Sequence, residues 1–368
     1  MPATKLRYGV IGVGAMGREH IENIKTIDGA EVTAISDPVA ESRAAAAAIL
    51  DDDLAVFTDH NELLNSGKVD AVVIATPNYT HVDILKDALA TDLAVFVEKP
   101  LTTTIDDALK VYNWSKDRKA MTWVGLEYRY MPPVAEAIKR VHEGVVGEIA
   151  QVAIREHREP FYPKVGNWNR FREKTGGTLV EKCCHYFNLM DLITGEHPTR
   201  VFASGAQRVN HLDEVYDGKK ADMLDSAYVI VEYPSGARGL LDLCMFAENS
   251  MDNEHLTVVG SEGKVESFLP SLTYREGQRG ESITKWGAKA VPGVINKRIW
   301  DFSIKYPGHH YGASYLEHKK FFDAVLAGGA PEITVEEGLR SVAVGLAAHK
   351  SIDEGRPVMM SEVLPSGW

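Results

Sequence analysis

LRYGVIGVGAMGREHIENIK, residues 6–25, decides the fold. Its first eight residues are mostly apolar and β-prone and read as a buried strand. Residues 15–25 read as a helix. Between them Gly12-Val13-Gly14-Ala15-Met16-Gly17 matches G-x-G-x-x-G. That pattern alone is weak; a strand before it and a helix after it give it content. Gly12 permits the tight turn, Gly14 lets the backbone approach a pyrophosphate, and Gly17 lets the helix lie close to the strand. The helix start, at Ala15 and Met16, offers free N–H donors and a positive dipole end. Asp37 closes the next apolar run, EVTAISD, 20 residues after Gly17. A carboxylate there accepts bonds from the adenosine ribose and repels a 2′-phosphate, and Pro38 follows instead of an arginine or serine. The segment predicts a Rossmann domain that binds NAD rather than NADP.

Outward from this segment, AVFTD, VDAVVIATP, LAVFVEKP and MTWVGL are further strand candidates up to residue 126. Helices fit between them at 40–50, 61–66, 81–90 and 105–117. Apolar strands alternating with helices imply a doubly wound parallel sheet over residues 1–124. Beyond it, a helix from Pro132 to about His142 precedes strand-like runs at 149–157, 200–208, 226–233, 238–247, 254–260 and 264–268. Turn signals such as Pro234-Ser235-Gly236 separate several of them. Residues 125–368 therefore read as an α+β domain with a large, mostly antiparallel open sheet. Residues 270–312 read as an irregular excursion of the functional kind. Closing helices near 314–327 and 335–354 are expected to return toward the first domain.

The 368 residues suit two domains, and a hydrophobic share of 45% with 25% charged residues is that of a soluble globular chain. A net charge of −12 argues against nucleic acid and anionic membranes as partners. No apolar run approaches a membrane span and no signal peptide stands at the start, so a cytoplasmic location is expected. Cys183, Cys184 and Cys244 lack metal or disulfide spacing and read as reduced, buried residues.

Two later strand ends carry chemistry. Thr76-Pro77-Asn78, with His81, and Glu98-Lys99-Pro100 lie where open α/β sheets hold ligands. All are candidate cofactor contacts, although Asn78 also suits a turn or helix cap. Lys99 can hold an alkoxide-like charge; taken alone, a solvated loop lysine is the ordinary reading.

These motifs resemble the Gfo/Idh/MocA family along nearly the whole chain. The resemblance rests on the glycine turn, ATPNYTH at 75–81, EKPL at 98–101, VGLEYRY at 124–130 and GGTLVEKCCHYFNLMD at 176–191, with TVEEGLRSVAVGLAAHKS at 334–351. It implies a Rossmann domain, an α/β domain with an open sheet used for oligomerisation (dimer or tetramer), and hydride transfer on a sugar-like substrate. The family lysine falls on Lys99. Its helix motif, an Asp with His four residues on, falls on Glu181 and His185, and the following acid is replaced by Asn188. Residues 175–193 can form one helix, with Glu181, His185 and Asn188 on one face. His185 is then the proton carrier, Lys99 steadies the oxyanion, and Glu181 orients substrate or tunes His185.

Residues 155–174 hold Arg155, Arg158, Lys164, Arg170, Arg172 and Lys174 against Glu156, Glu159 and Glu173. With Phe161, Tyr162, Trp168 and Phe171 they suit a sugar ring bearing an anionic group; a solvated loop or a subunit contact fits equally. Arg129, Lys182 and His310 complete the substrate candidates; no metal site is expected. Three functions compete. The first is an NAD-dependent dehydrogenase of a ring secondary hydroxyl in a sugar, cyclitol or glycoside. The second is an oxidoreductive glycosidase, with transient oxidation, elimination, water addition and re-reduction, acting for instance on a sulfoquinovoside. The third is a non-catalytic NAD sensor.

Overall fold

The computed structural model describes residues 5–50, 53–279 and 293–368. Its strands and helices run β1 Leu6–Ile11, α1 Ala15–Lys25, β2 Ala30–Ser36, α2 Ala40–Ala47, β3 Ala55–Phe57, α3 His60–Leu64, β4 Ala71–Ile74, α4 His81–Ala88, β5 Ala94–Glu98, α5 Ile105–Ser115 and β6 Thr122–Gly125. Then follow α6 Pro132–His142, β7 Ile149–His157, α7 Arg172–Thr175, α8 Thr178–Glu181, α9 Cys184–Thr194, β8 Arg200–Ala206, β9 Val215–Tyr216, β10 Lys219–Lys220, β11 Ser226–Glu232 and β12 Arg238–Cys244. The chain closes with β13 Glu254–Gly260, β14 Gly263–Leu269, β15 Thr273–Gln278, β16 Ile295–Arg298, α10 Ala313–Ala327, α11 Val335–Glu354 and β17 Val358–Met359.

Two units result. The first comprises residues 1–127, 164–184 and 303–342. Its six strands pair in the order β3-β2-β1-β4-β5-β6, all parallel. β4 and β5 are buried along their whole length, which is why they read as unbroken apolar runs. α10 returns against α1, and Phe321 packs edge-on against Phe96 and Trp123.

The second unit comprises residues 128–163, 185–302 and 343–368. Its nine-stranded sheet runs β16-β15-β14-β13-β7-β12-β11-β8-β17. β7 and β12 are parallel, and the other pairs are antiparallel. In β11, Ala227, Val229 and Val231 face inward while Tyr228 and Ile230 face out. On the inner face α6 lies over β14 and β15. α9 comes so close to β12 that a Cβ on Gly239 would stand 2.6 Å from the Met190 sulfur. No helix among the described residues is long and apolar enough to cross a membrane.

Two expectations fail. Residues 270–312 contain β15 and β16, whereas we read only irregular chain; 280–292 of that stretch lie outside the described residues. β16 is the edge strand and wholly exposed, and β15, next to it, buries Tyr274 and Glu276 rather than an apolar row, so neither shows the apolar alternation by which a half-buried strand is read. Residues 175–193 also do not form one helix. Gly176 and Gly177 adopt φ of 81° and 89°, ending α7 in a left-handed cap, and a turn at Lys182-Cys183 separates α8 from α9. Helical spacing therefore does not relate Glu181 to His185; His185 and Asn188 do share α9.

Candidate active site

The glycine turn has the geometry its sequence predicts. Gly12 has φ 83°, and a Cβ there would lie 2.8 Å from the Ala75 carbonyl oxygen and 2.6 Å from Thr76 Cγ2. A Cβ on Gly17 would collide with the Gly12 carbonyl, whereas a Cβ on Gly14 would meet nothing within 4 Å. The first and third glycines thus serve packing, and the second leaves open the approach that a pyrophosphate needs. Asp37 Oδ2 accepts from the Val13 amide at 2.9 Å and Oδ1 from the Val39 amide at 2.8 Å. Its carboxylate is fixed at the sheet's carboxyl end, with lone pairs left for ribose hydroxyls. Ala15 and Met16 open α1. The sequence reading missed two arginines: Arg18 Nη1 donates to the Val13 carbonyl at 3.0 Å and Arg43 Nη1 to the Asp37 carbonyl at 2.6 Å. The carboxyl end of β2 is therefore less purely acidic than Asp37-Pro38 implies.

Thr76 Oγ1 accepts from the Thr80 hydroxyl, and Pro77 precedes a short 3-10 turn at Asn78–Thr80. Asn78 is buried, with Nδ2 3.5 Å from the Thr175 carbonyl oxygen. The His81 ring is fully enclosed, Nδ1 standing 2.9 Å from the Pro100 carbonyl oxygen and Nε2 3.0 Å from that of Thr76. Burial holds its pKa below the ordinary value. His81 ties the ATPN loop to the EKP loop, and its side chain presents no surface to a ligand.

Beyond β5 and β6 the first unit gathers buried charge. Lys99 Nζ donates to the Glu181 backbone carbonyl at 3.1 Å. Burial pulls the lysine down, but Cys184, Glu98, Glu181 and Glu127 outweigh it and keep the ammonium charged. Glu98 is enclosed too; its Oε1 lies 2.9 Å from His20 Nε2, and its Oε2 accepts from the Lys99 amide. Burial alone would raise its carboxyl, yet His20 and Lys99 hold it below the usual range. Burial raises the carboxyl of Glu181 against the pull of Lys99, Lys164 and Arg170, and its Oε2 has no hydrogen-bond donor among the described residues. Lys182 is buried beside this group. Glu127 carries no motif signal of its own in the sequence. Its Oε1 lies 3.3 Å from His310 Nδ1, and burial with the neighbouring Glu98 pushes its carboxyl up to about 8. His310 is pushed down to about 3 by burial and by Lys182 and Lys99. The strand-end rule that exposed Lys99 also reaches Glu127, two residues beyond β6.

Half of the basic segment's six cations meet acids within their own unit. Lys164 and Arg170 act on Glu181, and Lys174 lies over the rings of Tyr79 and Phe171, 5.7 Å from each. Trp168 stands edge-on to Tyr79. Arg172 is half-buried on α7. In the second unit Arg158 is held by Glu159 at 3.0 Å and Glu156 at 3.6 Å, and Tyr162 is exposed. There also the His185 ring stacks face to face on Tyr128, with centroids 3.8 Å apart, and Arg129 Nη2 donates to Asn188 Oδ1 at 2.7 Å. His185 is buried. Among the described residues no group of three His, Cys, Asp or Glu side chains could hold a metal ion.

Residues 6–126 match the NAD-binding Rossmann fold of the Gfo/Idh/MocA oxidoreductase family, and residues 138–360 match that family's C-terminal α/β domain. The chain is 30% identical to the myo-inositol 2-dehydrogenase of Thermotoga maritima, over 98% of this chain and all of that one. It is 27% identical to the scyllo-inositol 2-dehydrogenase (NAD(+)) of Bacillus subtilis, over 97% of this chain and 96% of the relative. A crystal structure of a probable dehydrogenase from Thermotoga maritima superposes with a TM-score of 0.78 at 28% identity, covering 98% of this chain and 100% of the other. With both of its domains matched in sequence and its fold in space, the chain belongs to the Gfo/Idh/MocA oxidoreductases and binds NAD on its Rossmann unit.

Proposed function

We propose that the protein is an NAD-dependent dehydrogenase that oxidises a ring secondary hydroxyl of a neutral cyclitol or sugar to the ketone. The observation that carries this is the Lys99 ammonium, kept charged among buried acids and braced by the Glu181 carbonyl. A fixed cation of that kind stabilises an alkoxide as it forms. When bound, the nicotinamide supplies the hydride acceptor. His185 takes the hydroxyl proton, its ring orientation set by Tyr128. Lys99 steadies the substrate oxygen, and Glu181 Oε2 accepts a hydrogen bond from a neighbouring hydroxyl. Arg129, paired with Asn188, fixes the start of the second unit to α9. A neutral substrate is favoured because Lys164 and Arg170 already face Glu181, and Arg158 faces Glu156 and Glu159. The likeness to inositol 2-dehydrogenases points the same way.

We further infer a homo-oligomer built on the sheet's outer face, where Phe202, Tyr228, Ile230 and Leu240 are exposed together. The functional test incubates the protein and NAD+ with myo-inositol, scyllo-inositol, glucose and an aryl glucoside, following NADH and aglycone in parallel. NADH formed in proportion to a free polyol supports the reading, and Lys99→Met should abolish it while NADH binding persists. No NADH from any member overturns it. Aglycone release without net NADH would put redox-neutral glycoside cleavage in its place.

A further inference from the structure

α1 does more than receive a dinucleotide at its N-terminus. Its residue Glu19 is one of the most enclosed carboxylates in the first unit, with a side chain 4% exposed. It faces the loop that precedes α10. Glu19 Oε1 accepts from the His309 amide at 3.1 Å, and Oε2 lies 3.4 Å from the Tyr306 hydroxyl. The His309 imidazole is exposed, with Nε2 3.8 Å from Glu19 Oε2. Gly308 has φ 51°, and a Cβ on it would collide with the Glu19 carboxylate, so glycine is what lets the loop come so close. The loop is also closed on itself: the Gly312 amide donates to the Pro307 carbonyl at 2.5 Å and the Ala313 amide to the His310 carbonyl at 2.9 Å. Lys305 adds an exposed tie to Asp28.

A carboxylate removed from water needs a reason, because its desolvation is unfavourable unless hydrogen bonds replace the water. Here the replacement is the loop backbone. One residue beyond the gripped amide, His310 reaches Glu127 in the cluster around Lys99. We propose that Glu19 is a positioning residue that, by gripping the loop at Gly308–His309, sets His310 among the buried charged side chains of the site and ties that placement to the dinucleotide-binding helix. The catalytic consequence rests on the dehydrogenase reading above; the structural claim does not.

The test uses the full chain with NADH and, separately, NAD+ with myo-inositol. Hydrogen exchange of the 303–312 peptide should be at least tenfold faster in Glu19→Ala than in the parent and close to the parent in Glu19→Gln, whose amide oxygen still accepts from His309. Gly308→Ala should loosen the same peptide by pushing it off the carboxylate, and serves where Glu19→Ala fails to fold. In turnover, Glu19→Ala should reproduce the loss in kcat/KM seen in His310→Ala. Adding His310→Ala to it should cost less than a further twofold, with NADH affinity within threefold of the parent. Parental exchange in both Glu19→Ala and Gly308→Ala would overturn the proposal, as would fully multiplicative losses in the double variant. If neither myo-inositol nor any other member of the panel above yields NADH, the dehydrogenase reading fails and the exchange result alone decides the role of Glu19.

Discussion

Replacing Glu127 by glutamine should make the protein more stable in alkali, and by a large amount. The carboxyl is 3% exposed and titrates at about 8 against 4.5 for a free glutamate. Burial and Glu98 push it up; Lys99, its own backbone and Lys182 pull it down and lose. Between those two pH values the folded chain binds more protons at this site than the unfolded chain, so stability falls as pH rises. Each pH unit of that gap is worth about 1.4 kcal/mol, so from pH 5 to pH 9 the folded protein loses roughly 4 kcal/mol through this one group. Above pH 8 the loss levels off. The amide of Glu127→Gln has no proton to lose in this range and keeps nearly the same volume, so the variant escapes this dependence.

The assay is urea unfolding of both proteins at intervals from pH 5 to pH 9. The stability difference, variant minus parent, should widen by roughly 4 kcal/mol across the range, a midpoint shift on the order of 1 M urea or more. A difference constant within about 1 kcal/mol would mean the carboxyl titrates normally. A difference that moves the other way would mean that Lys99 and Lys182 hold it ionised, and the balance of burial against charge assigned to this site would be wrong.

Three further outcomes follow from particular contacts. Asp37→Asn keeps the side chain's shape but removes the charge that repels a 2′-phosphate, with Arg43 and Arg18 close by. The preference for NAD over NADP, read as a ratio of kcat/KM, should fall by about tenfold or more. Gly12→Ala places a Cβ at φ 83° against Ala75 and Thr76; calorimetry should show about 1–3 kcal/mol less stability and titration a weaker NADH complex. Arg118 donates to the Leu89, Thr91, Leu93 and Ala120 carbonyls, clamping the turn before β5 to the turn before β6. Arg118→Ala should cost about 2–4 kcal/mol in denaturant unfolding while NADH affinity stays near the parent's, since no cofactor candidate touches it.

What could be read from the sequence divides along a physical line. The glycine turn was legible because its demands are local: φ at Gly12 and the clearance at Gly17 are settled by residues within the same turn and its neighbouring strand. The placing of Asp37 after β2 and of Lys99 after β5 was legible because a strand's carboxyl end is marked along the chain. The Glu127–His310 pair was not, because it joins the end of β6 to a loop 183 residues later, and only the pairing of β5 with β6 and the return of α10 bring the two together. The helix at 175–193 was misread for a different reason. Gly176 and Gly177 look like an ordinary helix start, yet both take positive φ, and Lys182-Cys183 turns where the apolar pattern runs on.

The basic segment shows most directly why a sum along the chain misleads. Counted in sequence, residues 155–174 carry an excess of cations that invites an anionic ligand. What a substrate feels is the sum in space, and each unit supplies its own counter-charges. In the first unit Lys164 and Arg170 spend their field on Glu181, which lies outside the counted window. In the second, Arg158 is flanked by Glu156 and Glu159, within hydrogen-bonding or ion-pair distance of both. At close range such pairs cancel most of their external field, and water screens the remainder beyond about 10 Å. Around Lys99 the charge is arranged differently: an ammonium stands beside Glu98, held below the usual carboxylate range, and beside Glu127 and Glu181, whose carboxyls burial pushes up. An arrangement of that kind suits a neutral alcohol on its way to an alkoxide better than a ligand that arrives already charged.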